Sequence, residues 1–577
     1  MKRFHISKVL ICLLGLFFLL SCSSDSENEM TVNDQSQDEQ NGGSDDDGPT
    51  GDDTPQFNGF DINFTRGDFW EFYWFTENVN VAQGNVSTNT DNGRFRVTLG
   101  ESQVIGGIEA YTVEVTGTNL EAYAGPRWSY LAVSENRLFG STDGSTLDTI
   151  FNAQEGRWNG GGFFANFDQD ATINAFDKEI DNEFIATNAI AASYQDGQTI
   201  CEIIAGERIC ANDNSFNLLV NDFFKSGIGP VGYDFSRNVF DQGGGFTTTS
   251  EFRFEIGLVA TSFSANDGFS PTLPPWMEKT TLPEPFRMTT VSSWDGKLYI
   301  FGGLDIDNNN SQQIYGYDPE ADIWTQIGQT PVDLTYQIQD GFSTIPLIYE
   351  AFVINDKIYI VRTLGPETNA ILIYDPLTNS WQPGPDLNIN VAGKQCYMEA
   401  IDDNILFFPN QPNRNGEVWI LNTTTNRWSS GNTSPWPHLS RSTVSAFDNK
   451  IYFSGNFRSG VGVFETRVRV YDYSIPAGED GAWTETFFTG DGRASASSQV
   501  VNGRLYVMGG DNFGPEKRDV EEYVIAQDSW KTVGSMLNAR ASFLSVVIND
   551  KIYAIDLGSD EKFSIEEYNP ALDRKSQ

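Results

Sequence analysis

A unit of about 50 residues repeats through the second half of the chain and constrains its fold more than any other feature. Variants of one strand recur as GKLYIFGG (296–303), DKIYIV (356–361), NKIYFSG (449–455), GRLYVMGG (503–510) and DKIYAI (550–555). Most are followed by a second strand and a turn such as YDPEADIW (317–324) or YDPLTNSW (374–381). Short alternating strands divided by Gly, Asp, Asn and Pro predict small antiparallel sheets. A period of about 50 residues is typical of propeller blades.

Tryptophans give the number of units. They are spaced 48, 57, 47, 55 and 47 residues apart, at Trp276, Trp324, Trp381, Trp428, Trp483 and Trp530. Trp276 precedes the first complete unit, whereas the last unit has no tryptophan. We therefore predict six blades, with the strand around Trp276 completing the blade begun by residues 540–570. Such closure removes the unpaired sheet edges that promote aggregation.

These units resemble the kelch family. A double glycine ends one strand at Gly302–Gly303 and Gly509–Gly510, and a strand with tyrosine, a turn and a tryptophan follow. The resemblance covers residues 271–577, about half the chain, and implies a six-bladed kelch-type β-propeller. The Gly-His pair of WD-type propellers is absent.

The N-terminal residues 1–21 have the form of a lipoprotein signal peptide. Lys2, Arg3 and Lys8 precede the apolar run VLICLLGLFFLL, and the segment ends in LLSC at Cys22. These last residues resemble the bacterial lipobox, in which cleavage leaves the cysteine as a lipid-modified N-terminus. The alternative is an ordinary signal peptide with a chance cysteine. In the first case, acyl chains on Cys22 are the predicted membrane anchor.

Residues 22–56 are predicted to form a disordered acidic tether. They carry eleven acids and no Lys or Arg, and such a segment cannot bury enough apolar surface to fold. An acidic stretch after the lipid cysteine resembles the surface-export signals of Bacteroidota lipoproteins. The resemblance implies the outer face of an outer membrane.

Residues 57–270 are predicted to be a separate antiparallel β-sheet domain of unassigned family. Strand-like segments such as GDFWEFYWFT (67–76) and GIEAYTVEVTG (107–117) are divided by turn signals. The aromatic run FWEFYWF is expected to supply core and cross-strand pairs. Cys201 and Cys210 flank EIIAGERI at hairpin spacing, so we predict a disulfide between them in an exported protein. Cys396 is expected to be a buried thiol.

Charge and histidine content exclude several functions. The chain has a net charge of −42, and a net charge of −34 remains after removal of the predicted signal's three cations and the predicted tether's eleven acids. Nucleic acids and anionic membranes require basic surface, so neither is an expected partner of the folded part. Only His5 and His438 occur, and His5 leaves with the signal, so a histidine-rich zinc or copper centre is not expected. We predict no metal and no cofactor.

Five basic residues form the strongest candidate site. Each precedes the inner strand of a predicted blade, and blade 2 lacks one: Arg287, Lys394, Arg441, Arg493 and Arg540. Equivalent positions of a propeller converge at one face, so these residues predict a positive channel mouth. The position resembles that of ligand-facing arginines in kelch domains that bind acidic peptides, and arginine recognises carboxylates well. The alternative is that these residues bond carbonyls and acids between blades.

A glycine-rich loop supplies a second candidate. Trp158, Phe163 and Phe164 lie in RWNGGGFFANF, where they could stack on sugar rings or a protein partner, or fold against their own domain. The favoured function is binding of an extracellular ligand, an anionic glycan or acidic peptide, without chemistry. The alternatives are a carbohydrate-active isomerase or lyase at the propeller mouth, and an adhesin that only contacts protein.

Overall fold

A computed structural model describes most of the chain after residue 61. The described residues are 62–82, 85–117, 128–152, 157–159, 162–164, 172–181, 185–194, 201–204, 207–210, 216–243, 246–265, 267–284, 286, 289–305, 307, 309–334, 336–339, 344–347, 349–363, 370–392, 394, 396–409, 416–436, 442–458, 464–487, 493–511, 516–556 and 564–576. The predicted signal peptide, the predicted tether and Cys22 lie outside them.

The first half of the described chain forms one twelve-stranded antiparallel sheet, which we call the N-terminal sheet. Its strands are β1 (Phe69–Ala82), β2 (Asn85–Ile105), β3 (Ile108–Gly117), β4 (Tyr130–Ser134), β5 (Arg137–Ser141), β6 (Asp148–Asn152), β7 (Arg157–Asn159), β8 (Thr172–Asp181), β9 (Ala186–Tyr194), β12 (Phe216–Lys225), β13 (Gly229–Gly243) and β14 (Phe246–Thr261). Between them, β10 (Cys201–Ile204) and β11 (Glu207–Cys210) form a separate hairpin.

The N-terminal sheet curls around an aromatic core. Its order is β6-β5-β4-β3-β2-β1-β14-β13-β12-β9-β8-β7, so its two edge strands are consecutive in the chain. Phe151 of β6 stacks on Phe224 of β12 at 4.3 Å between ring centres, although seven strands separate them in the sheet. Trp70, Phe72 and Trp74 of β1 point into the same core, which confirms the prediction for the aromatic run.

The propeller has six four-stranded blades, as predicted. From inner to outer strand, blade 1 is β16 (Thr290–Trp294), β17 (Lys297–Leu304), β18 (Asn310–Asp318) and β19 (Ile323–Gln329); blade 2 is β22 (Glu350–Ile354), β23 (Lys357–Val361), β24 (Ile371–Asp375) and β25 (Ser380–Pro383); blade 3 is β26 (Cys396–Ile401), β27 (Asn404–Pro409), β28 (Trp419–Asn422) and β29 (Arg427–Ser430). The hairpin of β20 (Tyr336–Gln339) and β21 (Thr344–Leu347) separates blades 1 and 2.

Blades 4 to 6 follow the same order. Blade 4 is β30 (Ser442–Phe447), β31 (Lys450–Arg458), β32 (Phe464–Asp472) and β33 (Trp483–Phe487); blade 5 is β34 (Ser497–Val501), β35 (Arg504–Met508), β36 (Val520–Val524) and β37 (Ser529–Thr532); blade 6 is β38 (Leu544–Ile548), β39 (Lys551–Ile555), β40 (Ile565–Tyr568) and β15 (Trp276–Lys279). Two short 3₁₀ turns span Ile525–Gln527 and Pro570–Leu572.

Blade 6 closes the ring in the predicted way. Its outer strand β15 comes from the N-terminal side of the propeller and pairs with β40, placing Trp276 opposite Tyr568. The two rings stack at 4.7 Å, and the Trp276 indole donates to the carbonyl oxygen of Gly534 in blade 5 at 2.8 Å. Asp573 supports the same joint, because its carboxylate accepts from the Gly534 amide and the Tyr568 hydroxyl, both at 2.7 Å.

The repeated tryptophan joins blades 1, 3 and 4 to the linker of the preceding blade. Its indole N–H donates to a linker carbonyl at 2.8 Å from Trp324 to Thr280, 3.2 Å from Trp428 to Asp386 and 3.0 Å from Trp483 to Asn432. The turn before it uses Asp or Asn in the left-handed region, such as Asp322 at φ 55°. Such residues tolerate positive φ better than most, which accounts for the Asp- and Asn-rich turns.

The outer surface of the N-terminal sheet packs against the propeller. Tyr73, Phe75 and Val259 are buried with Trp276 and other side chains of blades 5 and 6. The Arg518 guanidinium of blade 5 lies 4.3 Å from the Phe75 ring centre, within 3.3 Å of the Glu77 carboxylate. Residues of β1 therefore alternate between the core of their own sheet and the propeller.

Candidate functional site

The inner strands of the blades surround a central channel of about 650 Å³. Small polar side chains line much of its wall, among them Thr290, Ser292, Thr443, Ser497, Ser498 and Ser545. Sugars present hydroxyl groups, and pockets of about 300–1,000 Å³ are the usual size for small ligands. The channel is therefore the candidate binding site.

Most described polar groups between blades 4, 5 and 6 bond to one another. The Ser445 and Ser498 hydroxyls lie 2.6 Å apart, as do those of Ser497 and Ser545. The Gln499 side-chain amide donates to the Ser545 carbonyl oxygen at 2.8 Å. These bonds hold the inner strands of neighbouring blades together.

The contact between blades 2 and 3 is chemically different, because each blade places a glutamate in the channel. Glu350 begins β22, and Glu399 lies on the neighbouring inner strand β26. Glu350 is exposed within the channel, where reduced hydration among the inner strands, together with the charge of Glu399, raises its pKa to about 8. Reduced hydration also raises the pKa of Glu399 to about 7, although its carboxylate accepts a hydrogen bond from the Ala400 amide at 3.0 Å. Carboxyl groups with such pKa values can give or take protons near neutral pH.

Other titratable side chains surround this pair. The Arg362 guanidinium lies 4.9 Å from the ring centre of Tyr349, which lines the channel. Burial raises the pKa of Tyr349, and the charge of Arg362 partly offsets that rise. The buried Cys396 thiol donates to the Lys394 carbonyl oxygen at 3.6 Å, and burial raises its pKa to about 12. Cys396 is therefore a neutral, buried thiol.

Two of the five predicted ligand-binding cations lie inside their blades. Arg540 is fully buried and pairs with Glu566, and its guanidinium also donates to the Ser564 carbonyl oxygen at 3.1 Å. Arg493 is equally buried and donates to the Asp519 carbonyl oxygen at 2.9 Å. Neither lines the channel. The ligand-facing interpretation is corrected for both, because their charge is satisfied by carbonyls and acids within the blade.

Of the other three predicted cations, only Lys394 lies within the described residues. Lys394 is half-buried two residues before β26, at the channel end where the inner strands begin. Arg287 and Arg441 lie outside the described residues. Blade 2, which lacks a cation before its inner strand, instead carries Arg362 after β23, where blades 1 and 5 have their double glycines.

The double glycine makes room for the loop before the inner strand. Gly509 has φ 58°, and a Cβ there would lie 2.5 Å from the Arg540 carbonyl oxygen. The Gly510 amide donates to the same oxygen at 2.7 Å.

Phe163 and Phe164 of the glycine-rich loop lie in the core of the N-terminal sheet. The Asp222 carboxylate, itself buried, accepts from their backbone amides at 2.8 and 3.3 Å. Phe164 meets Phe72 edge to face at 5.0 Å between ring centres. These two rings therefore fold against their own domain. The backbone of Trp158 lies in β7, but its side chain is outside the described part of the chain.

The predicted disulfide stays a prediction. Cys201 lies directly opposite Cys210 in the β10–β11 hairpin, but their side chains are outside the described residues. Within the described ranges, no three His, Cys, Asp or Glu side chains are grouped so as to hold a metal ion. No helix among those residues is long and apolar enough to span a membrane.

Comparison with known proteins identifies the repeat. A family model for the Kelch motif matches residues 285–331 and 492–537, which span blade 1 and blade 5. Blades 1 and 5 therefore carry kelch motifs. Kelch-like protein 23 of Mus musculus is 24% identical over 279 residues, covering 46% of this chain and 45% of that protein. The chain thus spans less than half the length of this relative.

Two bacterial relatives match this chain over more of their own length. N-acetylneuraminate epimerase 1 of Escherichia coli O6:H1 is 23% identical over 276 residues, covering 44% of this chain and 67% of that protein. N-acetylneuraminate epimerase of Yersinia pestis is 22% identical over 313 residues, covering 48% and 73%. The solved structure of YjhT covers 50% of this chain and 95% of its own, with 15% identity and a TM-score of 0.38.

Proposed function

We propose that this chain is a lipid-anchored protein of the cell surface whose kelch propeller binds an extracellular glycan in its central channel without altering it. The observation that carries the proposal is the asymmetry of the channel wall. Hydroxyl-bearing and apolar side chains share its wall, whereas Glu350, Glu399 and Tyr349 collect at the contact of blades 2 and 3. A wall that offers both hydroxyl and carboxyl groups suits a ligand with many hydroxyls.

For the class of ligand, we propose a glycan with acidic groups, with an acidic peptide as the alternative. Lys394 supports this choice, because a flexible ammonium group at the channel end can pair with a carboxylate or sulfate. The channel mouth carries fewer basic groups than the sequence indicates, since Arg493 and Arg540 pair with acids inside their own blades. Lys394 is therefore the described residue with which to test the acidic class.

An array of acidic and neutral oligosaccharides tests this proposal. We expect binding of acidic members that weakens as salt rises, because exposed charges are screened over about 10 Å at roughly 0.1 M salt. Lys394→Ala should weaken that binding several-fold. Lys297→Ala is the matched control, since Lys297 lies at the other end of the inner strands. Equal binding of neutral and acidic members in wild type and Lys394→Ala would reject the acidic class. Binding of none would reject the function.

The anchor is tested separately. Cys22→Ala should release the protein from membranes or leave an unprocessed precursor. Deletion of residues 23–56 with Cys22 kept should lower its exposure to protease on intact cells. Unchanged fractionation of Cys22→Ala, without incorporation of labelled fatty acid in wild type, would contradict the lipid anchor.

A second candidate is a carbohydrate-active enzyme of the isomerase type. The Glu350–Glu399 pair favours it, because acid–base catalysis is most efficient with pKa values near the working pH. Two relatives are called N-acetylneuraminate epimerases, which adds support by analogy. Nuclear magnetic resonance of each bound sugar would detect interconversion. Turnover that Glu350→Gln abolishes while binding remains would establish the enzyme. An adhesin would instead bind protein and no glycan of the array.

A further inference from the structure

The inner part of the channel differs in charge from its mouth. Among the described lining residues the titratable groups are Tyr349, Glu350, Tyr397 and Glu399, and no Lys or Arg is included. Adjacent blades contribute Glu350 and Glu399 to the wall of one open channel, in which Glu350 is exposed and Glu399 is half-buried. Like charges on neighbouring carboxylates oppose ionisation of both.

The groups around the pair supply little compensating charge. Arg362, directly after β23, lies over the Tyr349 ring. From β26, Cys396 faces Glu350 as a neutral thiol, and Tyr397 lines the channel. Lys394 precedes β26 and acts on Cys396 through its charge. The inner strands of blades 1 and 4 face the channel with uncharged side chains, including Thr290, Ser292, Thr443 and Val444.

We infer that Glu350 and Glu399, which face one channel from adjacent blades, together hold about one proton near neutral pH, which we call proton sharing. We further infer that this pair selects uncharged hydroxyl groups of the ligand, so that glycan binding is coupled to proton uptake. This inference rests on the proposed function, because it concerns the same channel. A carboxylic acid donates one hydrogen bond and a carboxylate accepts several. The half-protonated pair can therefore donate to one sugar hydroxyl and accept from another. A ligand carboxylate would add a third negative charge, so acidic groups stay at the mouth near Lys394.

The direction of the pH dependence follows from the two carboxyl groups. Their pKa values of about 8 and about 7 mean that both ionise as pH rises through that range. Above it the pair loses its donor and repels anionic ligands more strongly. Affinity should therefore fall severalfold as pH rises from about 6.5 to about 9, and binding in the middle of that range should take up protons.

Protein stability gives a test that needs no ligand. The unfolded chain loses these carboxyl protons near about pH 4.3, whereas the folded chain keeps them to higher pH. The protonated carboxyl groups therefore favour the folded state at low pH. This contribution to the free energy of unfolding is lost as pH rises toward 8. Glu350→Gln and Glu399→Gln should melt close to wild type near about pH 5 and several degrees higher near about pH 9. The control Glu479→Gln, at an exposed acid, should follow wild type at every pH. Parallel curves for all four proteins would overturn proton sharing.

Calorimetric titration tests the ligand part with the oligosaccharide that binds best in the array. Its binding enthalpy should differ between two buffers of different ionisation enthalpy for wild type, and should differ less for Glu350→Gln. Buffer-independent binding with a flat pH profile would overturn the coupling while leaving the proposed function intact. Binding of no array glycan would overturn the proposed function and the ligand part together, and the melting curves would still decide proton sharing.

Discussion

The burial of the Arg540 side chain indicates that this residue stabilises the fold and does not bind the ligand. Its ion pair with Glu566 is completely buried, and Glu566 also accepts from the Leu537 amide at 2.8 Å. Removal of one partner leaves a buried charge, which costs about 3–5 kcal/mol. We expect Arg540→Ala to lower the melting temperature strongly, and Arg540→Ala/Glu566→Gln to recover part of the loss. Arg574→Ala, at an exposed arginine, is the control. An unchanged melting temperature with lost glycan binding would return Arg540 to the ligand site.

Sequence reasoning at this scale found which residues recur but not where their side chains point. Arg493 and Arg540 hold the position predicted before the inner strand, yet their guanidinium groups turn into the blade where buried acids and carbonyls meet them. The sequence does contain a signal for the carboxyl groups that line the channel. Glu350 and Glu399 occur in the inner strands as YEAF and YMEA, at places where the other blades have uncharged residues.

Strand β15 is the element on which ring closure depends. Trp276 joins β40 by stacking on Tyr568 and joins blade 5 by its bond to Gly534. Trp276→Ala should destabilise the protein by about 3–5 kcal/mol, because a large buried side chain is lost. Leu377→Ala, at a residue 76% exposed, is the control. Denaturant unfolding followed by fluorescence measures both, and similar midpoints for the two variants would mean that β15 does not hold the ring.

Elements with a strict repeat could be predicted from the sequence, and those without one could not. The tryptophan spacing gives all six blades and the origin of β15. The segment with Phe163 and Phe164 has no periodicity. In the structure its backbone amides donate to the carboxylate of Asp222, a residue far along the chain. The sequence around the loop does not reveal such a distant partner.

For the whole molecule, the contact between the N-terminal sheet and blades 5 and 6 decides whether the two halves unfold together. Phe75 is 1% exposed in this contact, and Arg518 covers its ring while donating to the Met536 carbonyl oxygen at 3.0 Å. Calorimetry should show one transition for wild type. Phe75→Asp buries an uncompensated charge there, so it should split unfolding into two transitions. Val104→Asp, on a strand surface that is 73% exposed, should keep one.

The same contact fixes the orientation of the propeller relative to the sheet that precedes it. Truncation at Pro271 would therefore not be neutral, because it would expose Trp276 and its apolar neighbours in blades 5 and 6. We expect that shortened protein to aggregate at concentrations where the intact chain stays monodisperse, as measured by light scattering, since large exposed apolar patches promote association. Equal monodispersity of the two would show that the propeller does not need the N-terminal sheet.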